Sequence, residues 1–151
     1  MDLVTNRILV ATVAAWFVAQ FLKVLFDTIK NGFSVERLTG SGGMPSSHSA
    51  TVTGLVVSTA IVEGVGGFPF VMAMFFAIIV IYDAAGVRME TGREAQVLNR
   101  LAERDQAEGK QPLNEKPLRE KMGHTISEII VGMVLGGTVA AITCILMQKL
   151  I

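Results

Sequence analysis

His48 and His124 are the only histidines in a chain of 151 residues, and each stands just ahead of a long apolar run. Imidazole is the side chain best suited to move protons near neutral pH. His48 ends the stretch Gly42-Gly43-Met44-Pro45-Ser46-Ser47-His48. Its glycines let backbone approach a ligand closely, Pro45 restricts the path of the chain, and the serines fall where the first turn of a helix is expected. Such a turn carries unpaired N–H groups and a partial positive charge, a ready site for an anion. A histidine placed there can exchange a proton with whatever the amides hold. His124 is followed four residues later by Glu128, on the same helix face. A carboxylate on one imidazole nitrogen sets the tautomer and supports the cation that forms during catalysis. Thr125-Ile126-Ser127-Glu128 also reads as a capping box, with Glu128 folded back on Thr125.

Apolar residues make up 51% of the chain and charged ones 17%, which is too apolar for an ordinary soluble domain of this size. The apolar residues cluster in four runs, about Ile8–Phe26, Ser49–Val65, Pro69–Val87 and Ile126–Met147. Each is long enough, or nearly so, to cross a bilayer, which takes roughly 20 residues as helix. The expected architecture is an all-α polytopic membrane bundle of about four spans in one domain over 1–151. A polar loop, 89–122, carries a helix over Thr91–Glu108 that lies in solvent or along the interface, with Ala95, Val97, Leu98, Leu101 and Ala102 at helical spacing. A short helical turn is expected over Leu118–Met122. The N-terminus, with Asp2 and a long run carrying Gln20 and Lys23, reads as a retained span and not as a cleaved signal. Zero formal net charge gives no reason to expect a nucleic-acid partner, and the single Cys144 excludes an intrachain disulfide.

Four spans would bring the end of the first, the start of the second, the end of the third and the start of the fourth to one side. Those ends carry Lys23, His48, Asp83 with Arg88, and His124 with Glu128. Of the unusual polar residues only Glu63 falls on the other side. A charge inside a span faces protein or a wet cavity, although Lys23 is near enough to the span end to snorkel instead. The loop side holds Lys30, Arg37, Arg88, Arg93, Arg100, Arg104, Lys110, Lys116, Arg119 and Lys121, the other side Arg7 and Lys149. The positive-inside rule then puts the polar cluster in the cytoplasm, in a bacterial plasma membrane by expectation. Gly132 and Gly136 form a G-x-x-x-G that lets another helix pack closely, so a homodimer is a reasonable expectation.

Pro45-Ser46-Ser47-His48, taken with His124-Thr125-Ile126-Ser127-Glu128, resembles the type 2 phosphatidic acid phosphatase superfamily, which also includes vanadium-dependent haloperoxidases. That superfamily carries K-x6-R-P, P-S-G-H and S-R-x5-H-x3-D. The chain is most similar to its divergent, small integral-membrane branch, through Gly-Gly-Met-Pro-Ser-Ser-His-Ser-Ala, Tyr-Asp-Ala-Ala-Gly-Val-Arg and Gly-His-Thr. Ser47 stands for the family glycine and Glu128 for its aspartate. Lys30 and Arg37 have the right separation, but Leu38 replaces the proline. Leu118 occupies the position of the third-motif arginine, with Arg119 one residue late, so Arg88 and Arg119 are the residues available to substitute. The resemblance implies hydrolysis of a phosphate monoester or diphosphate through a phosphohistidine, with no metal and no other cofactor. His124 would be the nucleophile, oriented by Glu128, and His48 would protonate the leaving oxygen. Lys23 or Lys30, Arg37, Arg88, Gly43, and the hydroxyl and N–H groups of Ser46 and Ser47 would hold the phosphoryl oxygens, with Asp83 and Arg119 in support. A site at the membrane surface favours a lipid-borne phosphate: phosphatidic acid, phosphatidylglycerol phosphate or an isoprenoid phosphate.

Other chemistries fit the residues less well. Zinc asks for three or four histidine, cysteine or carboxylate ligands, which two histidines on different helices do not supply. Asp83 and Glu90 could hold magnesium, though nothing in their spacing demands it. Asp83-Ala-Ala-Gly-Val-Arg88 faintly echoes the acidic motif of phospholipid alcohol-transferases, but the paired downstream aspartates of that chemistry are missing. A non-catalytic membrane protein that binds lipid phosphate, or a small transporter subunit, is the main alternative to a phosphatase.

Overall fold

The computed structural model describes residues 3–32, 43–111, 116–120 and 122–150. A short 3-10 turn, Leu3–Thr5, leads into α1 (Arg7–Asn31), followed by α2 (Ser47–Glu63), α3 (Phe68–Tyr82), a π-helical segment (Asp83–Val87), α4 (Arg88–Ala107) and α5 (Ile126–Leu150). The described residues contain no strand. The fold is all-helical, as expected from the long apolar runs.

Local chemistry sets the helix ends. The Asn6 side chain accepts from the amides of Ile8 and Leu9, which caps α1. Gly32, at φ 77, ends it, and its N–H returns to the Thr28 carbonyl. Ser46 caps α2, and Gly64, at φ 81, closes it. Pro69 sits in the first turn of α3, where its missing N–H costs no hydrogen bond. Among the described residues, three helices are long and apolar enough to cross a membrane: Arg7–Ile29, the rod beginning at Phe68, and Ile126–Lys149. The second expected run differs. As α2 it has 17 residues, about 26 Å of helix against a hydrocarbon core of about 30 Å. It is packed against α1, α3 and α5 and forms the centre of the bundle.

The bundle closes through small residues at four-residue steps. On α1 they are Ala11, Ala15 and Ala19, on α2 Ala50, Gly54 and Ser58, on α5 Ala140 and Cys144, and all except the glycine have no exposed surface. Gly132 and Gly136 continue the α5 series. A Cβ at Gly54 would lie 2.8 Å from the Ala15 Cβ, and one at Gly132 or Gly136 would land on the carbonyl of Ser46 or Ala50. The large side chains point outward: Phe17, Phe75, Ile79 and Val134 are all exposed. That inversion suits a lipid surround, where helices gain from close backbone approach and not from burying leucine. The Gly132/Gly136 face, expected to receive another subunit, is thus occupied within the chain by α2.

Two further expectations change. The polar helix is not separate from the third span: α3, the π segment and α4 form one helical rod, Phe68–Ala107. Residues 117–120 and 122 are not helical. The Asn99 amide draws this segment out along α4, donating to the Leu118 carbonyl and accepting from the Leu118 N–H, both at 2.8 Å.

The glycine contacts predict a contrast. Gly136→Ala should destabilise the protein by about 1–3 kcal/mol or more, the cost of overpacking. Gly137→Ala, whose added carbon would meet only Thr53 and Val57 methyls at 3.6 Å, should leave stability unchanged or raise it, since alanine favours helix. Thermal unfolding in detergent distinguishes the two.

Candidate functional site

The start of α2 is built around Ser46. Its side chain is fully buried. Its Oγ accepts from the Ser49 amide at 3.3 Å and from the Ser49 hydroxyl at 3.0 Å. Its own amide donates to the Glu128 carbonyl at 3.1 Å, which pins α2 to the first turn of α5. Ser46 therefore serves the fold, and the expectation that its hydroxyl and N–H face an anion is corrected. Ser47 is also buried. No described residue accepts from the backbone amides of Ser47 and His48, so these keep the character of a free helix N-terminus.

The third span delivers its charges through the π segment. There the Arg88 amide reaches back five residues to the Asp83 carbonyl. In an α-helix, residues five apart do not share a face; the wider turn aligns them, and Arg88 Nε donates to Asp83 Oδ2 at 2.6 Å. The Ala84 carbonyl, in the same turn, accepts the His124 amide at 3.0 Å. Gly123, at φ 78, has no room for a side chain, because a Cβ there would lie 2.7 Å from the Met89 nitrogen. The backbone on either side of His124 is thus fitted against the end of the third span.

His124 is buried, at 4% exposure. Its Nδ1 lies 3.0 Å from Glu128 Oε2. The same carboxylate oxygen accepts the Thr125 amide at 3.2 Å, and Thr125 Oγ1 accepts the Glu128 amide at 3.4 Å. Both readings of Glu128 therefore hold: the residue caps α5 and grips the histidine. With Nδ1 engaged, Nε2 is the ring nitrogen left for chemistry. The His48 ring stands across from it, with centroids 5.9 Å apart and planes at 60°. His48 is exposed.

Lys23 settles between its two readings. It follows Ala19 by four residues on the buried stripe of α1 and is 8% exposed, so it points into the bundle and not outward. Its chain packs beside Gly43, where a Cβ would lie 3.5 Å from Lys23 Cε. The charges of Lys23 and Arg88 bear on both rings. For His48, partial burial, then Arg88, His124 and Lys23, push the pKa below its ordinary value of 6.5, with Asp83 pulling the other way. For His124, burial lowers the pKa; Glu128 opposes it through its hydrogen bond and charge, while Lys23 and Arg88 add to the lowering, and the net is a fall. Both rings are therefore mainly uncharged at neutral pH.

Other expected residues lie further out. Arg37 is outside the described residues, and so is the side chain of Lys30, which stands two turns beyond Lys23 on α1. Arg119 is exposed. Glu90, considered with Asp83 for magnesium, pairs with Arg93 on the surface of α4. A cavity of about 440 Å³ opens on the Glu128 side of His124, walled by the first turns of α4 and by Glu120, Met122 and Gly123. Sequence reasoning missed Asn99. It lies outside every motif, and its partners are 19 and 21 residues away.

The chain matches the family model described as "Divergent PAP2 family" over residues 4–139. It is 34% identical over 146 residues to the uncharacterized membrane protein YuiD of Bacillus subtilis (strain 168), covering 90% of this chain and 92% of that one. No solved structure matches.

The electrostatics predict the effect of one substitution on titration. In Glu128→Gln the influence that holds the His124 pKa up is removed, so His124 should titrate lower than in the wild type, with a much smaller change at His48. Imidazole NMR against pH reads both rings.

Proposed function

Starting from the fact that the chain belongs to the divergent PAP2 family, we propose that it is a membrane-embedded phosphatase acting on a lipid-linked phosphate through a histidine nucleophile. The observation that carries this reading is the His124–Glu128 pair facing His48 across 5.9 Å. Glu128 accepts a hydrogen bond from Nδ1–H and leaves the Nε2 lone pair to attack phosphorus. As the bond from Nε2 to phosphorus forms, the bond to the lipid oxygen breaks, and protonated His48 gives that oxygen its proton. The lipid alcohol leaves. Neutral His48 then takes a proton from water, whose oxygen attacks the phosphohistidine. Inorganic phosphate departs, with His124 restored and His48 protonated again.

The surrounding charges suit this sequence. Lys23 and Arg88 supply fixed positive charge where the phosphoryl oxygens gain negative charge, and the amides of Ser47 and His48 add a helix N-terminus. Asp83 holds Arg88 by its Nε and leaves the terminal guanidinium nitrogens for the substrate. Arg37 and Lys30 remain available as further cations. A dianionic phosphate brought between the rings raises the pKa of His48 and charges it for its role as acid.

The substrate class follows from location. The site lies at one end of a bundle whose outer faces carry large apolar side chains, so the phosphate is best supplied from a lipid: phosphatidic acid, phosphatidylglycerol phosphate or an isoprenoid phosphate. The distribution of basic residues supports a site on the cytoplasmic side of a bacterial plasma membrane.

Purified protein in detergent should release phosphate from at least one such lipid with EDTA present. His124→Ala should abolish release, and His48→Ala should lower it by about 10²–10⁴-fold. Binding of the lipid without turnover would favour a lipid-phosphate binder instead. kcat/KM should fall at low pH as His124 gains a proton and fall again as His48 loses one. Both pKa values lie below the ordinary 6.5 in the free protein, so the maximum is expected on the acid side of neutrality. A maximum at alkaline pH would contradict the assignment.

A further inference from the structure

We propose that Asn99, on α4, is a positioning residue that sets the place of His124 by clasping the backbone leading to it. Asn99 makes three contacts at 2.8 Å. Nδ2 donates to the Leu118 carbonyl and to Glu120 Oε1, and Oδ1 accepts the Leu118 amide. A side-chain amide carries donor and acceptor in one plane, so it can bind both polar groups of one peptide residue much as a neighbouring strand would. Among the described residues, these are the only hydrogen bonds that tie 116–122 to the rest of the protein. The segment also lies against α4 where Gly92 leaves room: a Cβ there would be 2.6 Å from the Glu120 carbonyl. Two residues beyond Met122 comes His124, its amide on Ala84 and its ring on Glu128.

The path from clasp to ring is short. From Leu118 to His124 is six residues, and both ends of that stretch are fixed to one continuous helical rod, by Asn99 on α4 and by Ala84 in the π segment. Release at Asn99 leaves the Ala84 bond and the capping box to hold His124 alone. A small displacement of a reacting atom is enough to cost a large factor in rate. Leu118, the residue grasped, is also where the superfamily pattern has an arginine. Here that position contributes its backbone to the clasp.

The test compares Asn99→Ala, Asn99→Asp, and Arg100→Ala on the outer face of α4. Asn99→Asp keeps the acceptor for the Leu118 amide but loses both donors and sets a carboxylate against the Leu118 carbonyl and Glu120. Two readouts are used: the His124 Nδ1 signal in nitrogen-labelled protein, and kcat with KM on a lipid phosphate. The kinetic arm rests on the phosphatase reading; the spectroscopic arm does not. Asn99→Ala should shift the His124 signal and lower kcat by about 10–10²-fold with KM changed less than about threefold. Asn99→Asp should move both readouts in the same sense, and Arg100→Ala should match the wild type. A wild-type His124 signal in Asn99→Ala or in Asn99→Asp would overturn the proposal. Should Asn99→Ala not fold, Asn99→Asp decides in the same way. A wild type that turns over no lipid phosphate would refute the phosphatase reading, while the His124 signal would still decide the role of Asn99.

Discussion

The close approach of α2 and α5 is the constraint on which the rest depends. Gly132 and Gly136 lie against the carbonyls of Ser46 and Ala50, with no space for a side chain between the helices. The Ser46 amide then reaches the Glu128 carbonyl. Because α2 starts and α5 starts at the same end, this contact sets the two histidines opposite one another. In a lipid surround there is little hydrophobic force to bring helices together, and packing of small residues has to do so. The site is thus a consequence of the seam that closes the bundle.

Each stripe of small residues ends in a polar one at the site. Four-residue steps along α1 run Ala11, Ala15, Ala19 and then Lys23. On α2 the series runs back from Ser58 through Gly54 and Ala50 to Ser46, and on α5 from Cys144 through Ala140, Gly136 and Gly132 to Glu128. A helix face that has been buried over three turns stays buried for a fourth. Lys23 and Ser46 are held inside the bundle although neither is apolar, and Glu128 is largely covered. This is why Lys23, a charge on an otherwise apolar helix, turns inward and bears on both histidines.

Much of this was legible in the residues. Apolar runs located the helices, and their alternation placed Lys23, His48, Asp83, Arg88 and His124 at one end. The four-residue stripe on α1 also contained the answer for Lys23. Other features were hidden for physical reasons. Ser46 looked like an anion ligand because a capping serine and a binding serine have the same sequence signature; only its burial and partners separate them. The π segment that aligns Asp83 with Arg88 has the composition of ordinary helix. Asn99 depends on a chain reversal that brings residues 118–120 back along α4, and no local pattern announces it. The central place of α2, with neighbours on several sides in place of lipid, is likewise not marked in its sequence.

The central claim is that His124 Nε2 bonds to phosphorus. Rapid quenching during turnover of a lipid phosphate labelled in its phosphoryl group tests it directly. The expected result is a label that is labile in acid, stable in base and located on the peptide containing His124. Turnover with no labelled protein, or a label that resists acid or sits on another residue, would contradict it.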